Sequence, residues 1–290
     1  MKKRVIHMIL AAAVLISGGC TSNLVYEIDQ PRELQFNVTL NPYTKAVEDL
    51  SHPSDIPFGV WSFDQDGAAC LNDEKVNYKE EGKWIPEKQK MWNEEVDEME
   101  FIAYSPYGKA VYEKDKGIRF LEYDIDEGID LLYSEPLIRQ KKDDSQSVIQ
   151  ISLMRALAMV RFKVRSVVPE YAEIVVKRVD VKGVRAVGDF QSLPEPYWTN
   201  LSSLRDFCFY DDGGIEVGGE AKPVGDCMYL IPQISDVNID VLCDIITGDI
   251  VLRDQVLSSS FMMQCRPGKI SSYMIKIDGA LNVSVEKDNE

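Results

Sequence analysis

From Glu33 to Leu40 the chain alternates without a fault. Leu34, Phe36, Val38 and Leu40 fall on one side of an extended backbone, and Glu33, Gln35, Asn37 and Thr39 fall on the other. A period of two is the mark of a half-buried β-strand, because successive side chains of a pleated strand point to opposite faces. Short segments of the same kind recur. Phe58–Phe63, Glu98–Tyr104 and Arg119–Tyr123 supply the first half of the chain. The second half holds EIVVKRVDVKGV, CMYLIPQ, NIDVLCDII, DIVLRDQVL, SSYMIKID and ALNVSVEK, the last two flanking Gly279 as a hairpin. Each is rich in β-branched and aromatic residues and bounded by Gly, Pro, Asn or Asp, which predicts an all-β protein with little helix. The stretch LMRALAMVRFKVRSVV reads as one long strand, with Arg161, Lys163 and Arg165 sharing a solvent face.

A polar break, QKKDDSQS at 140–147, has the composition of a linker. It divides the chain into an N-terminal β-sandwich over 20–145, whose first strand is 33–40, and a C-terminal β-sandwich over 146–290. Ahead of both, Lys2, Lys3 and Arg4 precede an apolar run, Val5 to Ile16, that is too short to span a bilayer. Residues 1–19 therefore read as a signal peptide. Its small residues Ser17, Gly18 and Gly19 stand directly before Cys20 and resemble a lipobox, which marks Cys20 for a diacylglyceryl and palmitate modification.

The formal charge is −16, and removal of the signal makes it more negative still. That sign disfavours nucleic acid and gives no electrostatic attraction to anionic lipid, so membrane contact falls to the lipid on Cys20. Beyond Cys20 the cysteines at 70, 208, 227, 243 and 265 show no CxxC spacing and no disulfide framework.

Catalytic chemistry finds no foothold. His7 and His52 are the only histidines, and GxSxG, P-loop and dinucleotide motifs are missing from the sequence. In YDIDEGID the carboxylates Asp124, Asp126, Glu127 and Asp130, with Glu135 beyond, only approximate a calcium loop, since Gly128 sits one position early. Trp61, Trp84 and Trp92 suit core packing better than a sugar platform. Acidic residues are abundant, but nothing selects a hydrolytic pair. The sequence reads as a non-enzyme with no cofactor and no metal.

One juxtaposition stands out. The strand 33–40 is followed by the turn Asn41-Pro42-Tyr43, then by Lys45-Ala46 and an acidic connection containing prolines. Taken in order, the lipobox at Cys20, ELQFNVTL, FGVWSF, FIAYSPYG, LMRALAMVRFKV, MYLIPQ and RPGKISSYMIKID resemble the fimbrillin superfamily of Gram-negative anaerobes. The resemblance implies two tandem transthyretin-like (Ig-like Greek-key) β-sandwich domains, exported as an outer membrane lipoprotein to the cell surface. It also implies a structural or adhesive subunit of a fimbria, or pilus, whose partners are other fimbrial subunits in a homo- or hetero-polymer. In stalk subunits of that family an Arg-specific protease cuts after the first strand. Segment 20–45 would then be removable, with Leu34, Phe36, Val38 and Leu40 filling a groove that another subunit's strand occupies after donor strand exchange. Here Lys45-Ala46 stands where the family has Arg and a small residue, while cutting after Arg32 would leave the strand in place. Residues 280–287 are what the C-terminus offers as a donor strand. Stalk and anchor or accessory roles both remain open. The alternative is a monomeric surface lipoprotein that binds a host glycan or host protein.

Overall fold

Where alternation is bounded by turn formers, strands form. The computed structural model describes residues 33–40, 55–79, 82–92, 95–125, 128–141, 148–169 and 171–288, and these hold eighteen strands and no α-helix. The first ten are β1 (Gln35–Leu40), β2 (Phe58–Asp64), β3 (Ala69–Tyr78), β4 (Trp84–Pro86), β5 (Glu98–Ser105), β6 (Val111–Glu113), β7 (Gly117–Asp124), β8 (Leu132–Ser134), β9 (Leu137–Gln140) and β10 (Val148–Arg155). Eight of them make one sheet in the order β2-β3-β4-β1-β10-β8-β5-β9. Because Gly59–Asp64 also pair antiparallel with Met99–Tyr104, β5 returns to β2 and closes seven strands into a ring, with β9 attached outside. The N-terminal half is thus barrel-like in its hydrogen bonding, where the sequence suggested two separate sheets. Closure removes free edges that open sheets must otherwise protect.

The remaining strands are β11 (Ala158–Val167), β12 (Ala172–Gln191), β13 (Tyr197–Val217), β14 (Lys222–Leu230), β15 (Ile234–Thr247), β16 (Ile250–Gln264), β17 (Ile270–Asp278) and β18 (Val283–Asp288). They form a four-stranded sheet, β14-β11-β17-β18, and a larger one, β16-β15-β12-β7-β6, with β13 on the other side of β12. Phe162 of β11 meets Phe209 of β13 at 4.7 Å, and Tyr273 of β17 meets Phe261 of β16 at 5.3 Å between ring centroids. Facing side chains of two sheets therefore share one core, as in a β-sandwich. Along β12 the buried positions Ile174 and Val176, then Val179 and Val181, then Val184 and Ala186, jump by three at two places. At both places the pairing with β13 shifts register, so a bulge restores the inward phase each time.

One correction to the sequence reading concerns the middle of the chain. LMRALAMVRFKVRSVV is two strands and not one. Ala156 and Leu157 interrupt it, both fully buried, so that β10 stays in the ring and β11 enters the sandwich. The break is held by backbone bonds from Ala156 N–H to the Leu131 carbonyl (2.8 Å) and from Gly268 N–H to the Leu157 carbonyl (2.8 Å). Arg161, Lys163 and Arg165 lie half-buried, Arg161 donating to Ser272 and Lys163 paired with Asp288. Strands from both sides of 145 meet in each region, β10 in the ring and β7 beside β12. Gln140 ends β9, and 142–147 lie outside the described residues.

The ring has one position that only glycine fits. Tyr104 lies over Gly59, and a Cβ there would stand 2.1 Å from the Tyr104 ring. The ring cannot easily yield, since its hydroxyl donates to Asp73 (2.7 Å), accepts from the Gly108 N–H (2.9 Å), and its face stacks on Trp61 at 4.8 Å. Gly59→Ala is expected to destabilise the protein by about 1–3 kcal/mol through overpacking, read as a lower urea midpoint. The same change at Gly67, where no atom lies within 4 Å, acts only through its left-handed φ.

Candidate functional site

The segment that the sequence singles out is seated in the wall of the ring. β1 runs parallel to β10 in unbroken register, Gln35 opposite Val148 through Leu40 opposite Leu153. On its other flank the pairing is short: Phe36 faces Trp84, Leu34 N–H donates to the Lys90 carbonyl (2.9 Å), and Glu33 bridges to Met91. The partner wall has its own alternation, Ile149, Ile151 and Leu153 pointing inward, which places two apolar rows side by side. One strand thus sits in a slot between β4 and β10.

All four side chains expected to fill a groove are buried there. Leu34, Phe36, Val38 and Leu40 are at most 5% exposed and share a core with Phe58, Trp84, Phe101 and Ile151. Phe36 makes edge contacts with Phe58 at 5.9 Å and Phe101 at 6.0 Å. Asn37 and Thr39 face solvent. Trp92 closes the same core, its Nε1–H donating to the Val96 carbonyl at 2.8 Å. Trp61, Trp84 and Trp92 are all core residues and none presents a flat face to solvent. Cys20, Lys45, Ala46 and His52 lie outside the described residues.

At the end of the β10 wall stands an ion pair. Arg155 Nε donates to Asp130 Oδ2 at 2.6 Å, and the other oxygen, Oδ1, is buried without a hydrogen-bond partner. Burial pushes the Asp130 carboxyl up to about 6 against the pull of the Arg155 guanidinium. Of the other carboxylates in the loop that approximates a calcium site, Asp124 accepts from both terminal nitrogens of Arg205 at 2.6 and 2.7 Å. Asp126 and Glu127 lie outside the described residues. Among the described residues no three metal-ligating side chains gather. Asp130 and Asp124 are thus each paired with an arginine.

Sequence reasoning did not identify β10 as the other face of the slot. Its signal was present, since Ile149, Ile151 and Leu153 alternate as cleanly as β1, but a parallel partner far along the chain leaves no local mark.

Two outcomes follow from this geometry. Phe36→Ala is expected to cost about 3–5 kcal/mol, and Thr39→Ala, on the solvent side of the same strand, no more than about 0.5 kcal/mol; guanidinium unfolding of both variants checks the difference. Asp130 carries a pKa raised on folding, so it takes up a proton between its unfolded value and about 6. Its contribution is present at low pH and fades as pH rises through that window. Relative to Asp130→Asn, the native chain should lose a few degrees of Tm between about pH 4 and 6.5, measured by calorimetry at fixed ionic strength.

The fold and the sequence both have known counterparts. A profile of the fimbrillin-like family matches residues 44–288. No curated protein sequence matches. Among solved structures, a fimbrial protein from Bacteroides vulgatus superposes with a TM-score of 0.59 at 16% identity, over 89% of this chain and 98% of that one. A candidate cell adhesion protein from Bacteroides uniformis gives 0.56 at 12% identity, over 88% and 97%. A third, from Parabacteroides distasonis, gives 0.52 at 12% identity, over 88% and 96%. With its profile match spanning most of its length, the chain belongs to the fimbrillin-like family.

Proposed function

We propose that this protein is a structural or adhesive subunit of a surface fimbria, a non-enzyme exported as a lipoprotein through Cys20 and assembled by strand complementation. The observation that carries the reading is the seating of β1: one short strand at the N-terminal side, held by a parallel ladder on one flank, completes an otherwise continuous ring. Family membership and the fimbrial and adhesion counterparts of the same fold support it. In this reading, cleavage at Lys45-Ala46 releases 20–45, and Leu34, Phe36, Val38 and Leu40 leave a slot that a neighbouring subunit fills. Such addition satisfies the backbone with main-chain bonds and sets specificity by pockets for alternate side chains. A chain that keeps its N-terminus stays anchored at the outer membrane by its lipid, which is the anchor or accessory role.

Two tandem sandwich domains of the transthyretin-like kind, 20–145 and 146–290, belong to the same proposal, with β7 and β10 reaching across the division. The donor within the C-terminal region is 280–287. It overlaps β18, which lies at the edge of the four-stranded sheet and pairs with β17. Leu281, Val283 and Val285 give it the same period-two row as β1.

The test compares two purified chains, one starting at Ala46 and one at residue 20 with Cys20→Ser. Emptying the slot removes four buried side chains at about 1.5–3 kcal/mol each. The shorter chain is expected to form concentration-dependent oligomers that persist on unheated gels, and the longer one to remain monomeric. A shorter chain that stays monomeric and equally stable refutes strand complementation.

A further inference from the structure

The break between β10 and β11 leaves a pocket on the surface that the slot does not use. Its volume is about 420 Å³, and its lining includes Arg155, Arg266, Lys269, Tyr133, Met154 and Pro267. Three features set it apart. First, its lining carries three cationic side chains, Arg155 already paired with Asp130 and Arg266 and Lys269 exposed, on a chain whose formal charge is −16. Second, the cations are held on ordered backbone. Arg155 ends β10 and is anchored through Nε to Asp130. Arg266 and Lys269 flank a turn whose Lys269 N–H donates to the Arg266 carbonyl at 3.2 Å and whose Gly268 N–H reaches the Leu157 carbonyl at 2.8 Å. Third, the other walls are apolar and flat: an aromatic ring, a thioether and proline rings.

We infer that this pocket binds a ring-sized organic carboxylate, its acid group held by Arg155, Arg266 and Lys269 and its body lying on Tyr133, Met154 and Pro267. The chemistry is that of most small-molecule sites, an apolar cleft with a few convergent polar groups. Guanidinium groups match a carboxylate in a planar, two-point geometry that a lysine alone does not provide. A pocket of this volume holds one ring and not an extended chain. A sugar acid and an aromatic acid both meet that description, and the two are separated by the probes. This inference does not rest on the fimbrial reading, because the pocket exists whether or not the slot is exchanged.

Isothermal titration of the chain with glucuronate and with benzoate, each beside its neutral counterpart glucose or benzamide, tests it. At least one acid is expected to bind with Kd below about 1 mM, its neutral counterpart not at all. Binding of glucuronate identifies the ligand class as acidic sugar, and binding of benzoate alone identifies it as aromatic acid. Arg266→Ala and Lys269→Ala, both on exposed positions, are each expected to weaken that Kd about tenfold, while Arg165→Ala on the outer face of β11 leaves it unchanged. No binding of either acid, equal binding of the neutral compounds, equal binding of inorganic sulfate, or insensitivity to the two pocket variants overturns the assignment.

Discussion

The parallel ladder between β1 and β10 is the interaction on which the N-terminal half depends. Six residue pairs lie in register, and the strand on the other flank contributes a single pair, Phe36 with Trp84. Remove β1 and the ring opens at that point, because no other described strand joins β4 to β10. The backbone groups of β10 then lose their partners, and a buried donor or acceptor without one costs on the order of 1–3 kcal/mol. At the same time Phe58, Phe101 and Trp84 lose the aromatic edge that Phe36 places among them. Backbone pairing and side-chain burial fail together, so a half-filled slot is a poor compromise. Occupancy is close to all or nothing.

That slot is joined to the second core by very little chain. β10, its far wall, runs through Arg155 into Ala156 and Leu157, and β11 follows at once as a central strand of the sandwich. The two-residue crossover is fixed by three separate elements: Leu131 before β8, Gly268 before β17, and Trp198 of β13, whose Nε1–H donates to the Ala156 carbonyl at 2.8 Å. Small and aliphatic residues suit this place, because three elements approach it and both side chains are fully buried, where an unpaired polar group would be costly. The Arg155–Asp130 pair stands immediately before it, where two charges are removed from water together, and the unpartnered Asp130 oxygen shows that the compensation is incomplete. A buried pair of that kind contributes little net stability. Its effect is to fix where β10 ends and on which side the guanidinium emerges.

Much of this was legible in the residues. Alternation located β1, β2, β5 and β7 to within a residue or two, and the inward set Leu34, Phe36, Val38 and Leu40 follows from period two alone. The crossover was not legible: Ala156 and Leu157 are apolar and continue an apolar run, so a sheet change looks like one long strand. Nor was ring closure, since the pairing of β2 with β5 depends on partners forty residues apart in the chain and leaves no local signature. β13 escaped for a different reason. Its residues Tyr197 to Val217 mix apolar and polar side chains without a period of two and are largely exposed, so the pattern that reveals a half-buried strand is weak even though it pairs with nearly the whole of β12. The pocket cations at 155, 266 and 269 are brought together only by the turn that follows β16, which no spacing rule could assemble.

Strong negative charge and strand addition look opposed, but they act at different distances. Like-charged chains repel over a Debye length of about 8 Å at physiological salt, whereas strand pairing operates at the roughly 4.8 Å spacing of a sheet. Repulsion therefore filters encounters, and only a contact that buries an apolar row and satisfies a ladder survives it. This matters because the chain has other edges. β16 pairs with β15 alone and carries the exposed side chains Ile250, Val251, Leu252, Val256 and Met262, the kind of long apolar edge that invites unwanted pairing. Arg253 and Asp254 interrupt it, and Asp254 ties Lys177 across the sheet at 2.7 Å. Charge set within the edge and spread over the whole surface disfavours adding a flat strand there, where a newcomer gains backbone bonds but no enclosed core. The slot beside β10 is different in kind, because a strand seated there gains a backbone ladder and an enclosed apolar core together.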